Sequence, residues 1–358
     1  MKLRKLHIDK YKMFKNFDIN FMDKNDNPLP IIIIAGINGS GKTTLLEYIY
    51  KTFKSDFLDL EGSLTVDIKD LNLKELSDKF EIKGHISTNI INVYGADSSG
   101  IGYAFYEKII YLPVNQNLDD IKKIMPLYIE NMIYKEDARA SEIHQRVRDD
   151  INTIFKDLNI SMEFDTRNGK GDLFFRNKKG EKISIDDLST GEKTLISKIL
   201  YLYIKETEDS IVLIDEPELS LHPSWQNRIL KLYENFAKEN NCQIIIATHS
   251  PHIIGSAKSE YIRLLTEDGV VDNFSNTYGA KFSQILTDIM GVKNLRTPEI
   301  NEKFVVIEDM IVDNEFDSLL FKDKWQELED ILGKNYFDLK LLKLEIASRR
   351  KDVQNNKK

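Results

Sequence analysis

Residues 36–43 read G-I-N-G-S-G-K-T, a complete phosphate-binding G-x-x-x-x-G-K-T motif. The motif follows an apolar β-branched run at residues 31–34 and precedes a segment with helical spacing, so it joins a buried strand to a helix. Glycines allow a tight turn whose N–H groups face phosphate oxygens, and the helix N-terminus adds positive potential. We expect Lys42 to reach the β- and γ-phosphates of ATP and the Thr43 hydroxyl to ligate Mg²⁺. The predicted ATP contacts are Asn38, Gly39, Ser40, Gly41, Lys42, Thr43 and Thr44.

A second apolar strand, at residues 211–214, ends in the acidic pair Asp215 and Glu216. We expect Asp215 to hold Mg²⁺ through water and Glu216 to orient or deprotonate the attacking water. Acids at a strand end can also simply cap the strand, but the phosphate-binding loop favours the catalytic interpretation. The two motifs together predict binding and hydrolysis of ATP, with Mg²⁺ as the cofactor.

Residues 188–193 read L-S-T-G-E-K and precede another helical pattern. Ser189 is suited to cap a helix through Leu195 and Ile199, with Thr190 and Glu192 as ordinary first-turn residues. A helix N-terminus is also a binding place for a γ-phosphate, so both interpretations can hold at once. The residues predicted to act here are Ser189, Thr190, Gly191 and Glu192.

The order and spacing of these motifs resemble those of the ABC ATPase family over residues 1 to about 265. Residues 217–223, P-E-L-S-L-H-P, stand where that family has its D-loop, and a third apolar strand ends in T-H-S at residues 248–250. The family signature reads L-S-G-G-Q or a close variant, and this chain has Thr190 and Glu192 instead of the first glycine and the glutamine. The likeness is to the RecF, SMC and OLD-like branch. ABC transporter ATPases, which dock on membrane partners, are the alternative.

The resemblance implies a homodimer whose two chains pair head to tail around ATP, with the signature of each chain acting in trans. It also implies that His249 is a switch residue near the γ-phosphate and belongs with Glu216 to the catalytic set. A Q-loop glutamine that contacts the metal is expected between the first motif and the signature. Gln116, after an apolar segment, is the candidate, since Gln145 lies in a helical pattern.

The tail from residue 277 resembles the C-terminal region of PtuA-type subunits of Septu and some retron systems, which act beside a separate HNH nuclease. This resemblance implies an ATPase that regulates a partner nuclease or toxin in anti-phage defence and assembles beyond a dimer. The alternative is a DNA-repair or DNA-maintenance clamp that binds DNA directly. Residues 304–308 have the form of a Toprim opening, but Asp309 replaces the usual glycine and helical spacing continues. We therefore expect helices here and no intrinsic nuclease activity.

The composition narrows the class of protein further. The chain has 358 residues, a net charge of −8 and one cysteine, so it has no disulfide framework. Its apolar runs are shorter than the roughly 20 residues that span a bilayer, and we expect a cytoplasmic protein without a membrane partner. Basic residues cluster at 139–148 and 167–182, where a solvated face and a nucleic-acid surface are equal alternatives.

The fold predicted from these patterns is α/β. It has an ABC-type P-loop ATPase core with a mixed sheet, a small antiparallel sheet at residues 162–185, an inserted helical lobe and a C-terminal helical appendage. The predicted domains are residues 1–275 for the ATPase, with the helical insert at about 117–160, and residues 276–358 for a helical region that contacts a partner or another dimer.

Overall fold

The computed structural model describes residues 1–53, 61–67, 90–94, 108–114, 118–167, 173–205, 207–267, 269–272, 274 and 277–355. The chain divides into two compact units, residues 1–290 and residues 291–358. The strands are β1 (Lys2–Tyr11), β2 (Phe14–Asn20), β3 (Ile31–Ala35), β4 (Glu61–Asp67), β5 (Ile90–Tyr94), β6 (Ile109–Leu112), β7 (Met162–Arg167), β8 (Leu173–Asn177), β9 (Lys182–Ser184), β10 (Ile211–Asp215), β11 (Gln243–Thr248), β12 (Ile262–Thr266) and β13 (Gly269–Val271).

The α-helices follow the same chain order, and four short helical turns at 185–187, 259–261, 282–284 and 285–289 are left unlabelled. The helices are α1 (Lys42–Phe53), α2 (Leu118–Glu136), α3 (Ala140–Asp157), α4 (Thr190–Ile204), α5 (Pro223–Glu239), α6 (Pro251–Ser256), α7 (Pro298–Val312), α8 (Leu319–Leu332) and α9 (Phe337–Asn355). Among the described residues, none of these helices combines the length and hydropathy needed to cross a bilayer.

A six-stranded mixed sheet forms the centre of the first unit, with strand order β13-β12-β3-β11-β10-β6. All its pairings are parallel except that of β12 with β13. Every residue of β3, β10 and β11 is buried, as expected for apolar strands covered on both faces. Because parallel strands end at one edge, the chain segments after β3, β10 and β11 meet there.

A four-stranded antiparallel sheet, of order β2-β1-β4-β5, accompanies the central sheet. The Gln243 side chain joins the two sheets, since its amide donates to the carbonyl oxygens of Leu3 at 3.0 Å and Leu29 at 2.9 Å. Its carbonyl oxygen accepts from the Leu3 N–H at 2.7 Å. All these groups are buried, so each would otherwise carry the cost of an unpaired polar atom.

The inserted helices α2 and α3 lie between β6 and the small antiparallel sheet β7-β8-β9 in the chain. The residues of α3 that recur every four positions are buried, as expected for a helix with one apolar face. They are Ile143, Val147, Ile151 and Phe155. A turn at Lys179-Gly180 connects β8 to β9.

The second unit has its own apolar core, in which Phe304, Ile307 and Leu328 are almost completely buried. Residues 304–308 lie within α7, so this segment is a helix and not the strand that opens a Toprim domain. The mixed sheet, the small antiparallel sheet, the helical insertion and the C-terminal helices together confirm the predicted α/β class of a P-loop ATPase.

Candidate active site

The loop between β3 and α1 has the geometry of an anion cradle. Gly41 has a positive φ of 95°, and a Cβ atom added there would lie 2.7 Å from Met13 Sδ and 2.8 Å from Phe14 Cζ. Only glycine fits this position, because the β1–β2 turn packs directly on the loop. Asn38 and Gly39 are exposed, and Thr44 is half-buried at the start of α1. The loop therefore has exposed residues directly before the N-terminus of α1, where an anion is favoured.

Lys42 lies buried under this loop and donates to the carbonyl oxygens of Gly36 and Ile37, each at 3.0 Å. Burial lowers the pKa of the Lys42 ammonium, and the acidic groups nearby oppose that shift. These two hydrogen bonds stabilise the backbone conformation of the loop. Ser40 Oγ is buried and makes no hydrogen bond among the described residues, so it lacks a partner that an anion oxygen would supply.

Asp215 stands at the end of β10 next to the loop. Its Oδ1 accepts a hydrogen bond from Thr43 Oγ1 at 3.1 Å, and its Oδ2 accepts one from the Tyr111 hydroxyl at 3.4 Å. Burial raises the pKa of the Asp215 carboxyl, while the hydrogen bond from Thr43 lowers it. A hydroxyl and a buried carboxylate are hard oxygen donors, and this pair suits a partly hydrated Mg²⁺. These residues and the cradle therefore fit a magnesium nucleotide.

Glu216 and His249 face each other across the edge of the sheet, with 3.0 Å between Glu216 Oε1 and His249 Nδ1. Both side chains are partly exposed, at 21% and 37%. The backbone of Glu216 adopts a left-handed φ of 40°, which is uncommon for a residue with a side chain. Such strained residues cluster at functional sites, where the surrounding structure holds them in place.

Sequence reasoning gave no role to Glu218, which organises the end of β11. Its Oε1 accepts hydrogen bonds from the Thr248 hydroxyl at 2.5 Å and from the N–H groups of His249 at 3.0 Å and Ser250 at 3.1 Å. Glu218 is 4% exposed, so these donors are needed to stabilise its charge. The carboxylate thus sets the backbone that carries His249. In the sequence, the signal for a role of Glu218 was its position as a second acid two residues after Glu216.

Lys198, in the middle of α4, was also missed. It is fully buried, and its ammonium donates to the carbonyl oxygens of Asp215 and Glu216, both at 3.2 Å. Burial lowers the pKa of Lys198 to about 8, although carboxylates around it oppose the shift. The signal in the sequence was a single lysine between the apolar pairs Leu195-Ile196 and Ile199-Leu200, which α4 buries.

The signature residues begin α4 and contact the segment after β10. Ser189 is the N-cap, and Ser189 and Glu192 form a capping box, with 2.6 Å between Ser189 Oγ and Glu192 Oε2. A Cβ atom added to Gly191 would lie 2.3 Å from the carbonyl oxygen of Ser220. Among the described residues, no hydrogen bond or ion pair joins Ser189 or Thr190 to the P-loop. Ser189 and Thr190 are exposed.

The structure thus joins Thr43 of the P-loop to Asp215, and Glu216 to His249. Within the described part of the chain, the signature residue Gly191 contacts Ser220 instead. Gln116 lies outside the described residues, so its predicted contact with the metal stays a prediction.

Two family models match the chain. The model of the AAA ATPase domain matches residues 113–254, and the model of the AAA domain matches residues 5–50.

Two relatives of the chain are a Septu protein and a retron ATPase. The chain is 32% identical over 198 residues to the Septu protein PtuA of Bacillus thuringiensis, covering 49% of this chain and 48% of that protein. It is 41% identical over 101 residues to the Retron Vc95 probable ATPase of Vibrio cholerae, covering 25% of this chain and 19% of that protein. The matched region therefore spans less than half the length of each relative.

Among solved structures, the fold is similar to that of an SMC head bound to the C-winged helix domain of ScpA. The TM-score is 0.53 at 16% identity, and the match covers 76% of this chain and 97% of the SMC head. This similarity concerns the fold alone. The resemblance to the ABC ATPase family is carried by the residues of the P-loop, the signature and the acidic pair. These similarities support a relationship to PtuA and a resemblance to the RecF, SMC and OLD-like branch of the ABC ATPases.

Proposed function

We propose that this chain hydrolyses ATP at sites shared between two copies, and that the ATP-bound dimer controls a separate effector protein in anti-phage defence. The observation that carries the proposal is that the first unit holds two separate parts of a nucleotide site, the P-loop with the acidic pair and the signature. Lys42, Asp215 and Glu216 lie at the sheet edge, whereas Ser189 is an exposed helix N-cap that makes no hydrogen bond to them in the described part of the chain. A second copy, turned head to tail, would supply the missing half.

Each residue then has a defined task. Lys42 and the loop N–H groups would hold the phosphates, and Thr43 with Asp215 would hold Mg²⁺. Mg²⁺, when bound, offsets negative charge on the phosphate oxygens. Glu216 would accept the proton of the attacking water, and His249, 3.0 Å from the Glu216 carboxylate, would keep that carboxylate in place. Ser189 and the N-terminus of α4 would face the γ-phosphate bound by the other copy.

Complementation between two inactive variants tests the shared site. Lys42→Ala lacks the phosphate-binding lysine, and Ser189→Arg blocks the signature while leaving the P-loop intact. Each variant alone should be inactive, but a mixed dimer retains one site with an intact P-loop and an intact signature. An equimolar mixture should therefore recover about a quarter of the wild-type rate, because half the dimers are mixed and each has one working site.

The matched control is Ser318→Arg, which removes the capping serine of α8 in the other unit. This variant should hydrolyse ATP at the wild-type rate. Full activity of Ser189→Arg alone, or no recovery in the mixture, would contradict a site shared between copies.

Regulation of an effector rests on the relationship to PtuA and on the second unit. Its helices expose large apolar side chains, among them Leu319 at 80%, Phe337 at 69% and Leu344 at 68%. Exposed apolar groups of this size favour a protein contact, so we assign residues 276–358 to a partner such as an HNH nuclease or to assembly of dimers. Deleting residues 291–358, which leaves the first unit whole, should spare ATP binding and abolish the larger complex, as measured by mass spectrometry of the native operon's products.

We also propose that the chain alone does not cleave nucleic acid. Among the described residues, no group of three or more His, Cys, Asp or Glu side chains could hold a metal ion. Incubation of the purified chain with DNA or RNA and Mg²⁺ tests this. Cleavage that is lost in Glu308→Ala or Asp309→Ala but kept in Glu216→Gln would overturn the proposal. Binding to DNA ends that depends on ATP and needs no partner would favour the DNA clamp instead.

A further inference from the structure

The Lys198 ammonium occupies an unusual place for a charged group. It is fully buried within the apolar face of α4, where Leu195, Ile199 and Leu202 pack into the core. Burial of an ammonium is costly unless hydrogen bonds and nearby charges compensate for the lost water. A methionine of similar length would avoid that cost. The lysine therefore has to be explained by the groups it binds.

Those groups are two consecutive carbonyl oxygens, those of Asp215 and Glu216, at 3.2 Å each. They flank the point where the chain leaves β10 and Glu216 takes its left-handed φ of 40°. In a regular strand, successive carbonyl groups point in opposite directions, so one donor cannot reach both. The ammonium thus binds a backbone shape that exists only when Glu216 has its strained conformation.

The same segment is held by α4 at a second point. The Ser220 carbonyl rests against Gly191 so closely that no Cβ atom fits between them. From Gly191 to Lys198 the helix rises about 10 Å. Residues 215–220 contact the helix at both of these positions. Helix α4 therefore acts as a rigid support for the backbone that carries the Glu216 carboxylate.

We propose that Lys198 is a positioning residue for hydrolysis, which fixes the Glu216 backbone so that the Glu216 carboxylate faces His249 and the attacking water. The inference rests on the proposed ATPase function. Lys198 donates its hydrogen bonds to backbone carbonyl oxygens, so it would act on hydrolysis through the position of Glu216. Without its two hydrogen bonds, the backbone at Glu216 relaxes and the carboxylate shifts.

Kinetics of Lys198→Met test the proposal, with Ile199→Met as the matched control on the same buried helix. A misplacement of about 1 Å can cost on the order of a hundredfold in rate, so we expect kcat to fall ten- to hundredfold in Lys198→Met. The KM for ATP should change less than about twofold, since the P-loop is untouched. Lys198→Arg, which keeps donors to the carbonyls, should recover part of kcat, and Ile199→Met should behave as wild type.

Two further measurements separate positioning from damage to the fold. Lys198→Met leaves the carbonyl oxygens of Asp215 and Glu216 unpaired, so its thermal midpoint should fall below that of the wild type. Its ATP affinity in isothermal titration should nevertheless stay unchanged, which a damaged fold would not allow. In the Glu216→Gln background, Lys198→Met should cause no additional loss of rate, since its effect passes through the Glu216 carboxylate. Multiplying losses in the double variant, or an unchanged kcat in Lys198→Met, would overturn the proposal. Failure of both wild type and Ile199→Met to hydrolyse ATP would instead overturn the proposed function.

Discussion

Gly191→Ala is the sharpest test of how the signature helix meets the segment after β10. Gly191 is the second residue of α4 and does not have a positive φ, so alanine can adopt its backbone conformation. The new Cβ atom would nevertheless lie 2.3 Å from the Ser220 carbonyl oxygen. A carbon and a carbonyl oxygen normally approach to about 3.3 Å. The backbone at Ser220 or the start of α4 must therefore move by about 1 Å.

The energetic consequence combines two opposing terms. Overpacking in a close contact costs about 1–3 kcal/mol. Alanine favours a helix over glycine by up to about 1 kcal/mol, which offsets part of that cost. We expect Gly191→Ala to lower the free energy of unfolding by up to about 2 kcal/mol. Because residues 215–220 are tied to the same helix, ATP hydrolysis should fall by on the order of a hundredfold.

The assay is urea unfolding together with steady-state ATP hydrolysis, and Gly255→Ala in α6 is the matched control. A Cβ atom at Gly255 would lie 3.4 Å from Ile285 Cγ1, an ordinary contact, so only the gain in helix propensity remains. This control should be slightly more stable than the wild type and equally active. If Gly191→Ala matched Gly255→Ala in both measurements, the contact between Gly191 and Ser220 would be irrelevant to stability and function.

Lys42→Ala should abolish tight ATP binding in isothermal titration, since the phosphates lose their cation; unchanged affinity would contradict the P-loop assignment. Glu216→Gln should bind ATP but hydrolyse it about 10²- to 10⁴-fold more slowly and accumulate as an ATP-bound dimer in size-exclusion chromatography, because an amide cannot accept the proton. Wild-type turnover would remove Glu216 from the mechanism. A hydrogen bond to Asp18, helped by one to Asp9, raises the pKa of His7. Relative to His7→Gln, the wild type should therefore be more stable below about pH 6.5, and this difference should vanish as pH rises through the raised pKa; equal urea midpoints at pH 5.5 would exclude the effect.

The local parts of the site could be predicted from the sequence because each motif is continuous. The P-loop is recognised within eight residues, and the strands before Lys42, Glu216 and His249 have uninterrupted apolar runs. The role of Ser189 as a helix cap followed from the residues after it, and the structure has this cap. The assignments of these residues to ATP, Mg²⁺ and a second copy stay predictions.

The remaining features depend on contacts between distant segments. A lysine such as Lys198 ordinarily lies at the surface, and only the path of residues 215–216 beside α4 explains its burial. Glu218 looked like part of a turn, but its donors come from the end of β11, thirty or more residues later. Gly191 was predicted to act at the helix N-terminus that binds a γ-phosphate, whereas in the structure its lack of a side chain also leaves room for the Ser220 carbonyl group. The order of the strands in the sheet also cannot be predicted from the sequence of any one apolar strand.

The position of β3 in the sheet also determines when the site can form during synthesis. Both neighbours of β3, the strands β11 and β12, come more than 200 residues later in the chain. At about 5–20 residues per second, a ribosome needs roughly 10–40 s to make the intervening chain. During that time the four consecutive isoleucines of β3 are without their sheet partners, which leaves an apolar segment prone to aggregation. The phosphate-binding loop therefore acquires its supporting strand only when nearly all of the first unit has been translated.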